Sequence, residues 1–238
     1  NNLWGLDYNY RNSRFLGDKL AQAGLWYQSG LDGDSRDHAY GLMLAYPNDD
    51  LFARVKYMEI NPDFNPALGF VNRSDIRETV IDLGHTHHFD SDLFRTWNPW
   101  AHFEYVTDTS NRLQSQKLIV YPATFHLESG YYLQLDLISL TEVVDSQFNI
   151  YGDVMIPEGR YDSKRYGFRL TSEQHLKFAY DIIYQDGEHY GGDWRSLDVT
   201  LNWRPWSSLL LSMSASATDA RLPLGAFESR LLRLNSEL

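Results

Sequence analysis

Leu176-Lys177-Phe178-Ala179-Tyr180-Asp181-Ile182-Ile183-Tyr184-Gln185 is the stretch whose reading decides the fold. Leu176, Phe178, Tyr180, Ile182 and Tyr184 share one phase of a two-residue period; Lys177, Ala179, Asp181 and Gln185 share the other, with Ile183 as the one apolar intruder. Successive side chains of a strand point to opposite faces, so this pattern is a strand with one apolar and one polar face. The reading extends outward. Leu197, Val199, Leu201 and Trp203 oppose Ser196, Asp198, Thr200, Asn202 and Arg204, and Leu209, Leu211, Met213 and Ala215 oppose Ser208, Ser212, Ser214 and Ser216. At the start of the chain Trp4, Leu6, Tyr8 and Tyr10 oppose Gly5, Asp7, Asn9 and Arg11.

A soluble β-sandwich also alternates, so length and charge placement must choose. Many segments alternate for about ten residues, against five or six in the average soluble strand, and about ten tilted residues cross a bilayer. Asp7, Arg54, Lys56, Asp136, Arg165, Arg169, Lys177, Asp181, Asp198 and Arg204 all fall on polar faces. That is the distribution expected where Lys or Arg at the bilayer midplane costs roughly 2–4 kcal/mol. In segment 75–84 the registers mix, and the pattern assigns it no outer face.

Strands are expected at about 3–11, 19–28, 38–46, 51–59, 75–86, 97–106, 113–127, 131–140, 161–171, 174–185, 194–204, 207–217 and 227–238. Turn residues mark short gaps such as Pro47-Asn48-Asp49-Asp50 and Glu128-Ser129-Gly130. Long connections are expected at 29–37, 60–74, 107–112, 141–160, 186–193 and 218–226. Short and long connections then alternate, as in a barrel with short periplasmic turns and longer extracellular loops. The expected fold is all-β, an antiparallel transmembrane β-barrel with about thirteen visible strands. The odd count makes residues 1–238 one outer-membrane barrel domain belonging to a larger, even-stranded barrel, with further strands expected at one or both ends.

Composition agrees. The 238 residues carry 15% aromatics, 22% charged residues, a net charge of −11 and no cysteine, with a mean hydropathy of −0.45. No run reaches the ~18–20 apolar residues of a spanning helix. A net acidic chain without a basic stripe excludes nucleic acid as a partner, and the missing cysteines exclude disulfides and thiolate chemistry.

Asp63-Phe64-Asn65-Pro66-Ala67-Leu68-Gly69-Phe70-Val71-Asn72-Arg73 resembles a segment of a family of bacterial envelope proteins. In that family an N-terminal β-sandwich similar to family 9 carbohydrate-binding modules precedes a barrel domain of unknown function. Ile156-Pro157-Glu158-Gly159-Arg160-Tyr161, Gly187-Glu188-His189-Tyr190-Gly191-Gly192 and Leu222-Pro223-Leu224-Gly225-Ala226-Phe227 continue the likeness, with Arg230-Leu231 after them, over roughly residues 40–238. Asn72 stands where the family usually has proline. The resemblance implies the bacterial outer membrane and carbohydrate handling by a sandwich outside these residues; it implies no catalytic residue.

The expected function is a channel, transport or surface-binding barrel. Loop candidates for binding are Asp63, Asn65, Phe70 and Arg73 in 60–74, and Glu158, Arg160 and Tyr161 closing against the same mouth. Arg165 and Arg169 are candidates for the lumen wall. Expected partners are outer-membrane lipid, an oligosaccharide or small solute, and an envelope protein; no cofactor or metal is expected. Two alternatives stand beside this reading. One is a membrane-embedded hydrolase drawing on Ser139, His126 or His175; the other is a barrel that anchors a partner. His85 and His87 share one strand face as zinc ligands would, and Asp32-Gly33-Asp34-Ser35-Arg36-Asp37 is oxygen-rich, but it lacks the closing Glu of an EF-hand.

Overall fold

The computed structural model describes residues 2–32, 35–66, 71 and 73–237. Its strands are β1 (Asn2–Phe15), β2 (Lys19–Asp32), β3 (Ser35–Pro47), β4 (Leu51–Ile60), β5 (Ile76–His85), β6 (His87–His88), β7 (Phe94–Trp97), β8 (Trp100–Thr107), β9 (Leu113–Leu127), β10 (Tyr132–Val144), β11 (Phe148–Tyr151), β12 (Val154–Ile156), β13 (Gly159–Thr171), β14 (Phe178–His189), β15 (Gly192–Trp206), β16 (Leu209–Leu222) and β17 (Gly225–Glu237). There is no helix among the described residues.

Fifteen strands form one antiparallel sheet, ordered β1-β2-β3-β4-β5-β8-β9-β10-β13-β14-β15-β16-β17, with β6 and β7 off this path. The thirteen strands on the path are the thirteen read from the alternation. The sheet is not closed as a barrel: β1 and β17 stand at the two ends of the order, with no pairing between them among the described residues. β11 and β12 make a separate hairpin. By contact density the chain divides into Asn1–His85 with Ala101–Leu118, and Thr86–Trp100 with Ile119–Leu238.

Three long connections expected from sequence are strand instead. Pairing continues to Asp32↔Ser35, His189↔Gly192 and Leu222↔Gly225, so the turns at 190–191 and 223–224 hold two residues each. Tyr190 (φ 47°) and Gly191 (φ 75°) both lie in the left-handed region that two-residue hairpin turns demand. The alternation ends there because both faces become polar, not because the strands end.

The register stacks side chains into rungs. In the second unit one face of β14–β17 carries Phe178, Trp203 and Leu211; then Tyr180, Leu201, Met213 and Leu234; then Ile182, Val199, Ala215 and Leu232; then Tyr184, Leu197 and Ala217. β13 and β10 extend the rungs with Phe168 and Leu170, Leu133 and Leu135. Leu234 is 70% exposed, Leu232 62% and Trp203 49%. In the first unit Leu6, Tyr8, Leu25, Leu42, Leu44 and Val55 build the same kind of exposed stripe. Large apolar side chains therefore stand in ordered, exposed rows on this face of each unit.

Candidate functional site

The same face changes character beyond the apolar rungs, and it does so in each unit separately. In the second unit Tyr166 and Tyr184 donate hydroxyl hydrogen bonds to Asp186 at 3.4 and 2.8 Å, and Arg195 Nε donates to it at 2.6 Å. The Arg195 guanidinium, then the Tyr184 hydroxyl, hold the Asp186 carboxyl below its ordinary range. In the first unit an aromatic row runs Trp4, Tyr27, His38, Tyr40 and Tyr57, with centroids 5.3–6.2 Å apart. Beside it Glu59 accepts from the Tyr40 and Tyr57 hydroxyls, both at 2.9 Å, and from Arg77 Nε at 2.8 Å. Burial alone would raise the Glu59 carboxyl; these three donors, Arg77 foremost, hold it low instead. The order is apolar rung, tyrosine, ion pair in both.

The opposite face carries ion pairs in both units. Asp82, with no exposed side-chain area, accepts from Arg54 Nε at 2.8 Å and Nη2 at 2.7 Å, and lies 2.7 Å from His102 Nδ1. Lys56 Nζ reaches Glu78 at 3.2 Å. In the second unit Arg169 grips Asp181 with two bonds of 2.9 and 2.7 Å, and Thr171 Oγ1 donates to the same carboxylate at 2.7 Å. The Arg169 guanidinium also lies over the Tyr132 ring, 5.9 Å from its centroid. Asp136 is buried and accepts from Gln185 Nε2 at 3.3 Å. The lack of a side chain on Gly167 makes room for it: a Cβ there would sit 2.8 Å from Asp136 Oδ2.

Above this lining the β11–β12 hairpin folds onto the polar face of the second unit. Ile156 is 1% exposed and packs in one cluster with Val144, Val154, Tyr190, Ala220 and Leu222. Phe148 meets Tyr190 edge-on at 5.8 Å, and Tyr151 stacks on Phe227 at 4.7 Å. Tyr161, 5.3 Å from Tyr190, donates its hydroxyl to the Pro157 carbonyl at 2.9 Å and ties the hairpin to β13. At the lower margin of the cluster two buried atoms, Arg165 Nε and His189 Nδ1, have no hydrogen-bond partner among the described residues. Burial, then the nearby Arg165 charge, pushes His189 down to about 4.

The residues singled out from sequence divide accordingly. Arg165, Arg169 and Tyr161 lie on the polar face. Arg160 does not: it pairs opposite Val143 on the apolar-rung face, with Nη2 3.3 Å from Asp162, because neighbours in a strand point oppositely and Tyr161 takes the polar side. Glu158 is exposed beside the hairpin. In the first unit Asp63 is exposed and donates its backbone N–H to Asp37 at 2.9 Å; Asn65 is exposed, and Arg73 donates to Gln114 at 2.7 Å. Phe70 lies outside the described residues, as do Gly33 and Asp34 of the oxygen-rich loop. Ser139 shares the apolar-rung face with Leu133, Leu135 and Leu137, while His126 packs against Tyr132 on the polar face, so they do not form a hydrolase dyad. His85 meets the Asp50 carbonyl and His87 packs on Phe89; no group of three metal-ligating side chains occurs among the described residues. Tyr190 and Trp194, at the centre of the cap, were not legible as site residues; the Tyr190-Gly191 turn dipeptide was the available signal.

No family profile, no curated protein and no solved structure matches this chain.

Proposed function

We propose that this chain forms the strand wall of a bacterial outer-membrane β-barrel whose polar face lines a path for small polar solutes, with the β11–β12 hairpin narrowing that path. One observation carries the reading: exposed apolar rungs bounded by tyrosines and then by ion pairs, repeated in both units. Hydrocarbon accepts the rungs, tyrosines favour the interface, and ions need water or headgroups. Unpaired strand edges are not tolerated in hydrocarbon, so in a membrane the edges of β1 and β17 pair with each other or with further strands.

The passage is supported by the opposite face, where Arg54–Asp82, Lys56–Glu78 and Arg169–Asp181 offer fixed charges of both signs. Such a lining suits small polar solutes; the oligosaccharide class follows from the sequence resemblance. The apolar cap favours a second reading, a sealed barrel that anchors an envelope protein partner, because Ile156 and its neighbours cover part of the polar face with a buried apolar cluster. Planar-bilayer conductance separates the two. A variant lacking residues 148–156 is expected to conduct more than the intact chain; equal, sealed traces for both would contradict the passage and leave the anchor.

A further inference from the structure

The ionic row that tops the rungs of β14–β17 is ordered across four strands. Asp186 lies opposite Arg195, Arg195 opposite Asp219, and Asp219 opposite Glu228. Arg230, one rung lower, reaches Asp219 at 2.7 Å and Glu228 at 3.5 Å. These side chains border a groove of about 720 Å³. With Asp193 and Arg221 the groove holds four acids and three arginines. Exposed ion pairs of this kind add only about 0–1 kcal/mol each to stability, so folding alone does not account for so regular a row.

Position and charge identify an occupant. The row shares its face with Leu197, Val199 and Leu201 and lies just beyond Tyr184, the level at which a bilayer changes from acyl chain to headgroup. A near-balanced groove repels a bare anion but complements a group that carries both signs. Arg195 donates its Nε to Asp186 at 2.6 Å, and its exposed guanidinium borders the groove; guanidinium forks match phosphate oxygens.

We infer that this groove binds the zwitterionic headgroup of a phospholipid, with its phosphate at Arg195 and its ammonium at the carboxylates of Asp219 and Glu228, which Arg230, donating also to the Thr218 and Ser229 carbonyls, holds in place. The inference rests on the membrane reading above and adds a lipid site on the outer surface, away from the solute path. Native mass spectrometry of the full chain folded in dodecyl maltoside micelles, doped with phosphatidylethanolamine or phosphatidylglycerol, tests it. One phosphatidylethanolamine is expected to be retained about tenfold more tightly than phosphatidylglycerol, a difference of about 1.4 kcal/mol. Arg195→Gln should abolish retention, and Asp219→Asn with Glu228→Gln should turn the preference toward phosphatidylglycerol. Equal retention of the two lipids, variants that behave as wild type, or displacement by free phosphoethanolamine at the lipid's own concentration would each overturn the lipid site. A chain that folds in plain buffer and not in micelles would overturn the membrane reading instead, and this site with it.

Discussion

A buried aspartate and a half-buried histidine carry the sharpest predictions at the scale of single residues. Asp82 has no exposed area and holds Arg54 and His102 together. Asp82→Ala is expected to cost about 2 kcal/mol in denaturant unfolding from micelles. Fully buried pairs lose roughly 3–5 kcal/mol when one partner is removed, and the discount reflects the 44% exposure of Arg54. His189 shifts from an ordinary 6.5 down to about 4. A depressed folded value means the unfolded chain binds the proton first, so this group's contribution is complete above 6.5 and is lost as pH falls toward 4. Acidification from pH 7 to pH 4 should loosen the hairpin cap, read as increased backbone amide exchange at residues 148–156, and His189→Gln should flatten that dependence. An unchanged pH profile in the variant would assign the effect to other groups. The sequence did not reveal either atom's isolation, since burial of Arg165 Nε and His189 Nδ1 is set by neighbours that strand pairing and the hairpin bring in from other elements.

At the scale of elements, period two was legible wherever one face stays apolar, and the thirteen strands of the sheet path follow from it. It failed where both faces turn polar: Glu188, Asp193, Asp219 and Arg221 project from paired strand on the face of the apolar rungs, yet in sequence they resemble loop. The β11–β12 hairpin was missed for a related reason: Asn149, Gly152 and Asp153 break any alternation in a segment of seven strand residues. Likewise Arg160 was grouped with Tyr161 by adjacency, although neighbours in a strand serve opposite faces. The rungs make a paired prediction on β15. Val199→Arg should cost roughly 2–4 kcal/mol in lipid, whereas Thr200→Arg, one residue along on the polar face, should cost less than about 1 kcal/mol. Folding titrations in vesicles that gave equal penalties would remove the distinction between the faces.

For the whole molecule the alternative is a soluble all-β protein whose exposed rows are covered by something else. The chain has no cysteine, so a single introduced cysteine can carry a nitroxide at any chosen position. The most direct measurement is a nitroxide scan from residue 196 to residue 203 of the chain reconstituted in lipid vesicles, comparing collisions with oxygen and with a water-soluble nickel chelate. Val199, Leu201 and their odd-numbered neighbours are expected to favour oxygen strongly, and Ser196, Asp198, Thr200 and Asn202 to lose that preference, with a two-residue period throughout. A scan in which the odd positions collide with the nickel chelate as freely as the even ones would contradict the account.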